Sequence, residues 1–162
     1  MSEQLWAPWR LKYIEKAQKL SSEECFFDEL PKKTDDRENF ILYRGKLVFV
    51  ILNAFPYNNA HLMVAPYRHI ADLEEMSDEE LLEVNQTLSK CVGWIKKAYS
   101  PEGFNIGVNL GRVAGAGVPG HIHWHVVPRW NGDSNFMTVI GEIRVLPENL
   151  YQTYDRLKSV ME

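Results

Sequence analysis

Three of the five histidines in this chain lie in one stretch, which reads HIHWHVVP from 121 to 128. If the stretch is a β-strand, alternate side chains share a face, so His121, His123 and His125 point one way and the apolar residues between them face a core. Imidazoles on the same face of a strand lie about 6.5 to 7 Å apart, close enough for neighbours to touch different atoms of one phosphate group. The stretch therefore predicts an imidazole-lined site suited to phosphoryl chemistry.

A metal site is an alternative interpretation of the same three histidines. His-x-His on a strand supplies two zinc ligands, and some catalytic zinc sites use three histidines. A zinc-dependent hydrolase therefore stays open, and it would contain stoichiometric metal when purified without added zinc. Isolated histidines are often hydrogen-bonded surface residues, but three in register make that interpretation the weaker one.

A glycine-rich loop directly precedes the histidines, with the sequence GAGVPG from 115 to 120. It matches the pattern G-x-G-x-x-G, but a dinucleotide-binding fingerprint requires a helix to open within the glycines. Pro119 and the β-prone residues that follow exclude such a helix. Glycines can still let backbone N–H groups approach an anion, so we expect either an anion-binding nest or a simple turn.

The elements around these motifs are predicted to be short strands and one long helix. Ser77 followed three residues later by Glu80 is a capping-box pattern, and apolar residues at helical spacing come after it. Segments rich in β-branched and aromatic residues predict strands, the first two joined in a hairpin at Gly45. The strand segments are 40–44, 46–53, 61–65, 103–110 and 121–128. Strands around a long helix, without βαβ alternation, indicate an α+β fold with a mainly antiparallel sheet.

The two ends of the chain carry different patterns. Residues 1–39 predict an aromatic N-terminal arm with a short helix, joined through a charged, exposed connection at 31–38. Residues 40–162 predict the catalytic domain, and the whole chain forms one compact unit. Residues 136–145 contain a β-prone patch. A final helix is predicted over 147–161, with Pro147 in its first turn.

Composition excludes several classes of protein. With 162 residues, 45% of them hydrophobic and 25% charged, the chain matches an ordinary soluble domain. Its net charge of −4 argues against nucleic acid or an anionic membrane as a partner. The N-terminus lacks a secretory apolar region and no long apolar run occurs, so we expect a cytoplasmic protein. Cys25 and Cys91 are far apart, and we expect both to be reduced.

The stretch His121 to Val127 resembles the signature of the histidine-triad superfamily, three histidines alternating with apolar residues. The similarity extends from about Phe40 to Arg129. The segments WAPWR, GFNIGVNLG and HVVPRWNGDSNF are similar to the bacterial diadenosine tetraphosphate phosphorylase branch, close to the fragile-histidine-type dinucleoside polyphosphate hydrolases. The resemblance implies a nucleotide substrate, an α+β domain that forms a homodimer, and a two-step reaction at the α-phosphate through a nucleotidyl-histidine intermediate.

The resemblance also implies a role for each histidine. His123 would be the nucleophile, with its second ring nitrogen held by a backbone carbonyl so that a lone pair stays available. His125 would contact the phosphate and the leaving group, and His121 would orient its neighbours. His61, from a separate strand, would be a partner of that network.

Five further residues match positions that contact the substrate in the family. Asn53 would bind ribose hydroxyls and Asn109 the α-phosphate. Ala116 and Gly117 would bind phosphate through backbone donors, because this chain has no hydroxyl there. Trp130 would stack on an adenine. Each of these residues also has a plain structural interpretation as a cap, a turn or a packing residue.

Many family members carry a zinc site built from a Cys-x-x-Cys pair and later histidines. Here Cys25 is followed by Asp28, so half of the thiolate pair is missing and only a conceivable set remains, namely Cys25, Asp28, His69 and His121. We therefore assign no metal to the site residues, and whether these four residues bind one stays open. No cofactor is required, although a divalent cation can accompany a bound polyphosphate.

His125 distinguishes branches of the family, because members that transfer nucleotides to sugar phosphates typically carry Gln at this position. A histidine favours a hydrolase or a phosphorylase, and the sequence leaves open whether water or phosphate attacks the intermediate. A nucleoside phosphoramidate hydrolase is an alternative on the same scaffold. A nucleotide-binding sensor with little catalysis is an alternative from another class.

Overall fold

The computed structural model describes residues 25–133 and 146–161. Its five strands form one antiparallel sheet in the order β1-β2-β3-β5-β4, which confirms the predicted α+β fold. Three short 3₁₀ turns lie between the main elements. The elements are α1 (Phe26–Glu29), β1 (Ile41–Arg44), β2 (Val48–Leu52), β3 (Leu62–Pro66), α2 (Asp78–Tyr99), β4 (Gly103–Val108), β5 (Trp124–Arg129) and α3 (Leu150–Lys158).

Both faces of the central strands are covered. Every residue of β2 and β3 is buried, as their almost continuous apolar sequences require. One face carries the larger core, which includes residues of α2 and α3. The other face carries a smaller group, which we call the small apolar cluster: Phe27, Ile41, Phe49, Ile51, Met63 and Ala65. The histidine-rich segment borders this second face.

Helix α2 begins as the sequence predicts. The Ser77 hydroxyl accepts from the backbone N–H of Glu80, and the Glu80 carboxylate accepts from the N–H of Ser77. The helix ends at Tyr99, because the next residue, Ser100, has a left-handed φ of 47° and is followed by Pro101. Its apolar stripe, with Val84, Cys91 and Ile95 fully buried, faces the larger core.

Strand β5 begins at Trp124 and not at His121, so the predicted strand is too long at its start. The N–H of Ile122 donates to the carbonyl of Ile70, and that of His121 to Val118, outside the sheet. These loop hydrogen bonds replace the strand ladder for the first residues. The predicted alternation of side chains still holds, because Ile122 and Trp124 lie in the larger core and the histidines face the other way.

The final helix also differs from the prediction at its start. Helix α3 begins at Leu150, and Pro147 lies before it. The side chain of Asn149 accepts from the N–H of Gln152 and the Gln152 side chain accepts in return, so Asn149 is the cap. The predicted arm up to residue 24 and the β-prone patch at 136–145 lie outside the described residues. Within the described parts, no helix is long and apolar enough to cross a membrane.

Candidate active site

His123 lies just before β5 and is almost completely buried. Its Nδ1 is 2.8 Å from the carbonyl oxygen of His121. A carbonyl only accepts, so Nδ1 carries the proton, and the neutral ring keeps its lone pair on Nε2. Burial lowers the pKa of His123, although the bond to the carbonyl opposes this. The ring is therefore neutral at physiological pH, which is the state that a nucleophilic histidine requires.

A hydrogen bond from His61 determines which ring nitrogen of His125 carries the proton. The backbone N–H of Tyr57 donates to Nδ1 of His61 at 3.0 Å, and Nε2 of His61 lies 2.9 Å from Nδ1 of His125. Because a backbone N–H only donates, neutral His61 carries its proton on Nε2 and donates it to His125. His125 then presents Nε2–H as a donor. Burial and the nearby His123 lower the pKa of His125 to about 4.

The rings of His123 and His125 lie closer together than a flat strand implies. Their centroids are 5.0 Å apart and their planes meet at 69°, a spacing below that expected from alternate positions of one strand. The Tyr57 ring stacks on His125 at 5.5 Å. Tyr57 was not predicted from the sequence; its position after Pro56 in the loop between β2 and β3 was the available signal.

His121 is fully buried and serves the site through its backbone and its ring. Its Nε2 donates to the carbonyl of Pro66 at 2.9 Å, so its Nδ1 keeps the lone pair. That nitrogen lies 3.5 Å from Cys25 Sγ and 3.2 Å from a carboxylate oxygen of Asp28. Burial lowers the pKa of His121. The ring thus fixes the segment whose carbonyl holds His123.

The four residues left as a conceivable metal set come together in the structure. One potential ligand atom from each of Cys25, Asp28, His69 and His121 lies within 4.8 Å of the other three. Asp28 also pairs with Nδ1 of His69 at 2.7 Å. A thiol, a carboxylate and two imidazoles are donors that zinc prefers, and four protein ligands are typical of a closed structural site. The chemistry of the donor set, with the lone pair of His121 Nδ1 directed to it, fits a divalent metal such as zinc.

Phe27 is a site residue that was not predicted from the sequence. It is fully buried, and its ring centroid lies 4.8 Å from that of His123 and 5.1 Å from that of His121. The prediction assigned it to an arm outside the catalytic domain. Adjacent Phe26 and Phe27 before a charged stretch were the only local signal, and such a pair does not reveal its partner.

The predicted substrate contacts are brought only partly to the histidines. Asn53 reaches them, since its Nδ2 lies 3.3 Å from His61 Nδ1 while its Oδ1 caps the turn at Phe55. Asn109 donates weakly to the carbonyl of Gly115, within the glycine-rich loop. In that loop the N–H of Ala116 already donates to Gly111, whereas no backbone hydrogen bond joins the N–H of Gly117 to another described residue. No α-helix opens there, as expected.

Trp130 lies beyond the end of β5, and the structure does not bring it to the histidines. Its Nε1 donates to the carbonyl of Tyr99 at 3.4 Å. It lines an open cleft of about 750 Å³ together with Tyr99, Asp133 and Glu148, and none of the triad histidines lines that cleft. This cleft is therefore separate from the triad histidines, and Trp130 is tied to the end of α2 through the Tyr99 carbonyl.

Comparison with known proteins places these features in a family. Residues 34–132 match the family model described as "HIT domain". The chain is 42% identical over 157 residues to a protein named AP-4-A phosphorylase from Mycobacterium tuberculosis, covering 93% of this chain and 80% of that protein. It is 33% identical over 113 residues to an adenosine 5'-monophosphoramidase of Schizosaccharomyces pombe, covering 70% and 81% of the two chains.

Solved structures agree with the sequence matches. A Zn-bound histidine triad family protein from Mycobacterium smegmatis superposes with a TM-score of 0.68 at 25% identity, covering 87% of this chain and 95% of that one. The family model spans more than half of the chain and includes His61 and the whole histidine segment. With the sheet, the buried histidines and these matches together, the chain belongs to the histidine-triad (HIT) domain family.

Proposed function

We propose that this protein cleaves dinucleoside polyphosphates, with diadenosine tetraphosphate as the substrate, through attack of His123 on the α-phosphorus. The observation that carries the proposal is the hydrogen bond from His123 Nδ1 to the carbonyl of His121, which leaves the Nε2 lone pair for attack. The 42% identity to a protein named AP-4-A phosphorylase supports the choice of substrate.

In the first step, Nε2 of His123 forms a bond to the α-phosphorus. The bond from phosphorus to the bridging oxygen breaks, and its electron pair leaves with the polyphosphate, which is ATP when the substrate is diadenosine tetraphosphate. His125 donates its Nε2–H to an oxygen of the phosphate or the leaving group. The nucleotidyl-imidazolium keeps its Nδ1–H on the carbonyl of His121, so the charge that forms is next to a fixed acceptor.

In the second step, an oxygen of the acceptor attacks the same phosphorus and the N–P bond breaks. The electron pair returns to Nε2 of His123, which restores the neutral ring. Inorganic phosphate as acceptor yields ADP, and water yields AMP with its proton released to solvent. Either phosphate or water can complete this step with the same histidine roles, and the product, ADP or AMP, shows which acceptor reacted.

The remaining substrate contacts follow from the family resemblance. Asn53 would bind the ribose hydroxyls beside His61, and Asn109 would approach the α-phosphate with the glycine-rich loop. Because the N–H of Ala116 donates to Gly111, Gly117 is the better backbone donor of the two. Trp130 would meet an adenine only if one end of the substrate extends to the far end of β5.

Cys25, Asp28, His69 and His121 would hold a divalent metal such as zinc. When bound, the metal would supply a structural cross-link between α1 and the segment that enters β5. The reaction steps above use only the chain's own residues. We therefore propose a structural role for the metal, while His121 keeps its proposed role of orienting the segment that holds His123.

The edge of the sheet supports a homodimer. Strand β4 pairs with β5 on one side, and within the described residues no strand pairs with its other side. Ile106 is 47% exposed on this strand and Leu110 is 42% exposed just beyond it. Edge strands with exposed apolar residues pair readily with another chain. We infer that β4 pairs with the same strand of a second copy of the chain. We also propose that the protein functions in the cytoplasm and has no nucleic acid or membrane partner.

A phosphoramidate hydrolase is the second candidate function, favoured by the 33% identity to an adenosine 5'-monophosphoramidase. It would use the same attack by His123, with a nitrogen leaving group in place of a phosphate oxygen. A nitrogen leaving group must be protonated, so this activity would depend more strongly on His125 as a proton donor. A sensor without turnover would bind nucleotide but give no product.

Product analysis tests these functions together. The protein is incubated with diadenosine tetraphosphate, with and without inorganic phosphate, in ordinary and in ¹⁸O water. Phosphate-dependent ADP plus ATP would establish a phosphorylase, and AMP plus ATP with ¹⁸O in the AMP would establish a hydrolase. Adenosine 5'-phosphoramidate as the only substrate turned over would support the second candidate. Binding without any product would contradict both enzymatic proposals.

A further inference from the structure

Phe27 covers one side of the histidine pair that begins the triad. Its ring is fully buried, and its plane is tilted by 37° to that of His123 and by 41° to that of His121. Phe49, another member of the small apolar cluster, lies at a centroid distance of 6.3 Å from Phe27. The Phe27 ring thus belongs to the small apolar cluster and also contacts the two imidazoles.

The polar contacts of His123 leave its ring orientation only partly fixed. Its one hydrogen bond within the described residues runs from Nδ1 to the carbonyl two residues earlier. The second torsion of a histidine side chain is broad and roughly two-fold, so a flipped ring would lose this bond and redirect Nε2. A close-packed neighbour on the ring face opposes such a flip because interiors have little free space.

Helix α1 is tied to the sheet on both sides of Phe27. Cys25 and Asp28 contact the ring of His121, and Asp28 also pairs with His69. These contacts hold a short helix that would not be stable alone. They also explain how Phe27 contacts His123 although the two residues are almost 100 positions apart in the sequence.

The position of Phe27 lies outside the segment that matches the family model, which begins at residue 34. The two residues with which it shares the site, His121 and His123, lie inside that segment. Part of the surroundings of the proposed nucleophile is thus supplied by a segment that precedes the matched domain.

We infer that Phe27 is a positioning residue for His123, holding the imidazole in the orientation that directs Nε2 to the α-phosphorus. The inference rests on the proposed function for the role of His123. The ring also keeps water from this side of the nucleophile. Without it, the His123 ring would tilt away from the carbonyl of His121, which would weaken the Nδ1 hydrogen bond and let both tautomers form.

The test compares Phe27→Leu with Phe49→Leu in the otherwise intact chain. Both residues are fully buried aromatics of the same cluster, but Phe49 has no ring contact with a histidine in the described structure. We expect Phe27→Leu to lower kcat for diadenosine tetraphosphate by about 10- to 100-fold with little change in KM. Phe49→Leu should lose comparable stability in urea unfolding and keep kcat within about threefold of wild type. Phe27→Met, whose flexible unbranched side chain can fill an irregular gap, is the second variant if Phe27→Leu does not fold.

Long-range ¹H–¹⁵N NMR of the His123 ring gives a readout that does not depend on turnover. The wild type should show one tautomer with the proton on Nδ1, and Phe27→Leu should show both tautomers or exchange broadening. Wild-type-like ring signals and kcat in a folded Phe27 variant would overturn the inference. An equal loss of kcat in Phe49→Leu would overturn it too. If wild type gives the single tautomer but no product, the proposed function fails while the positioning role is still decided by the NMR comparison.

Discussion

The hydrogen bonds around His61 give the candidate site a fixed direction of proton donation. The chain of donors begins at a backbone N–H, that of Tyr57, which cannot reverse its role. His61 must therefore accept on Nδ1 and donate from Nε2 to His125. Nδ1 of a histidine is mimicked by the oxygen of Asn, and Nε2 by the amide nitrogen of Gln, so the two bonds can be tested separately.

We expect His61→Gln to retain more activity than His61→Asn. The Gln amide can still donate to Nδ1 of His125, whereas the Asn side chain reaches only the N–H of Tyr57. His61→Phe should lose both bonds, and kcat should fall by about 10²- to 10⁴-fold, as for other proton-positioning groups. The check is kcat for diadenosine tetraphosphate across the three variants. If His61→Asn had the kcat of wild type and His61→Gln were inactive, His61 would serve only to anchor the loop at Tyr57.

Some residues of the site can be predicted from the sequence and others cannot. The shared face of His121, His123 and His125 follows from strand alternation, which is a local property. Phe27 and Tyr57 reach the same histidines from distant parts of the chain, and no local pattern encodes such contacts. Asn53 illustrates the intermediate case, because its residue type suggests a cap or a ligand and only the fold places it beside His61.

The starts of helices and strands could also be predicted where neighbouring residues determine them, and not where distant contacts do. The start of α2 is encoded by Ser77 and Glu80, which contact each other across three residues, so its prediction was confirmed. The start of β5 depends on a hydrogen bond between Ile122 and Ile70, far apart in sequence, and β-propensity alone extended the strand too early. Helix α3 was placed too early because Pro is common in a first turn, whereas the cap at Asn149 determines its start.

The position of β4 at the edge of the described sheet leads to a prediction about assembly. A charge at the centre of a strand-paired interface is unfavourable, so Ile106→Lys should convert the proposed dimer to a monomer. Leu82→Lys is the matched control, because Leu82 is also exposed, at 60%, but lies on helix α2. Light scattering after size-exclusion chromatography measures the mass. A monomeric wild type, or a dimer unaffected by Ile106→Lys, would rule out this interface.

At the scale of the whole molecule, the buried histidines connect the site to stability. His125 is surrounded by His123, His61 and Tyr57, and its pKa falls from 6.5 to about 4. In the folded protein, His125 therefore takes up a proton at a lower pH than it does in the unfolded chain. Its contribution to stability is complete above about pH 6.5 and is lost progressively as pH falls towards 4.

We expect the free energy of unfolding to fall over this window by up to about 3 kcal/mol more in wild type than in His125→Gln. Urea unfolding of both proteins at several pH values between 7 and 4 measures the difference, and His125→Gln is the reference for wild type. The Arg129 guanidinium holds the pKa of Asp133 at about 2, so that carboxylate titrates below the window. Parallel pH profiles for wild type and variant would show that His125 titrates normally in the folded protein.

The fold class was predictable from the sequence, since short strands around one long helix, in a chain of ordinary composition, indicate an α+β fold. The division between an arm at 1–39 and a domain from 40 onward remains a prediction. Phe27, which lies in the core beside Phe49, shows that residues from the arm side of that boundary contribute to the site.

The most direct test of the central proposal is to trap the intermediate on His123. The protein is mixed with diadenosine tetraphosphate without added phosphate, quenched within milliseconds under alkaline denaturing conditions, and weighed by intact-protein mass spectrometry. We predict a transient mass increase of one adenylyl group that maps to His123 in wild type and is absent from His123→Asn. Turnover without any adduct, or an adduct that persists in His123→Asn, would contradict attack by this histidine.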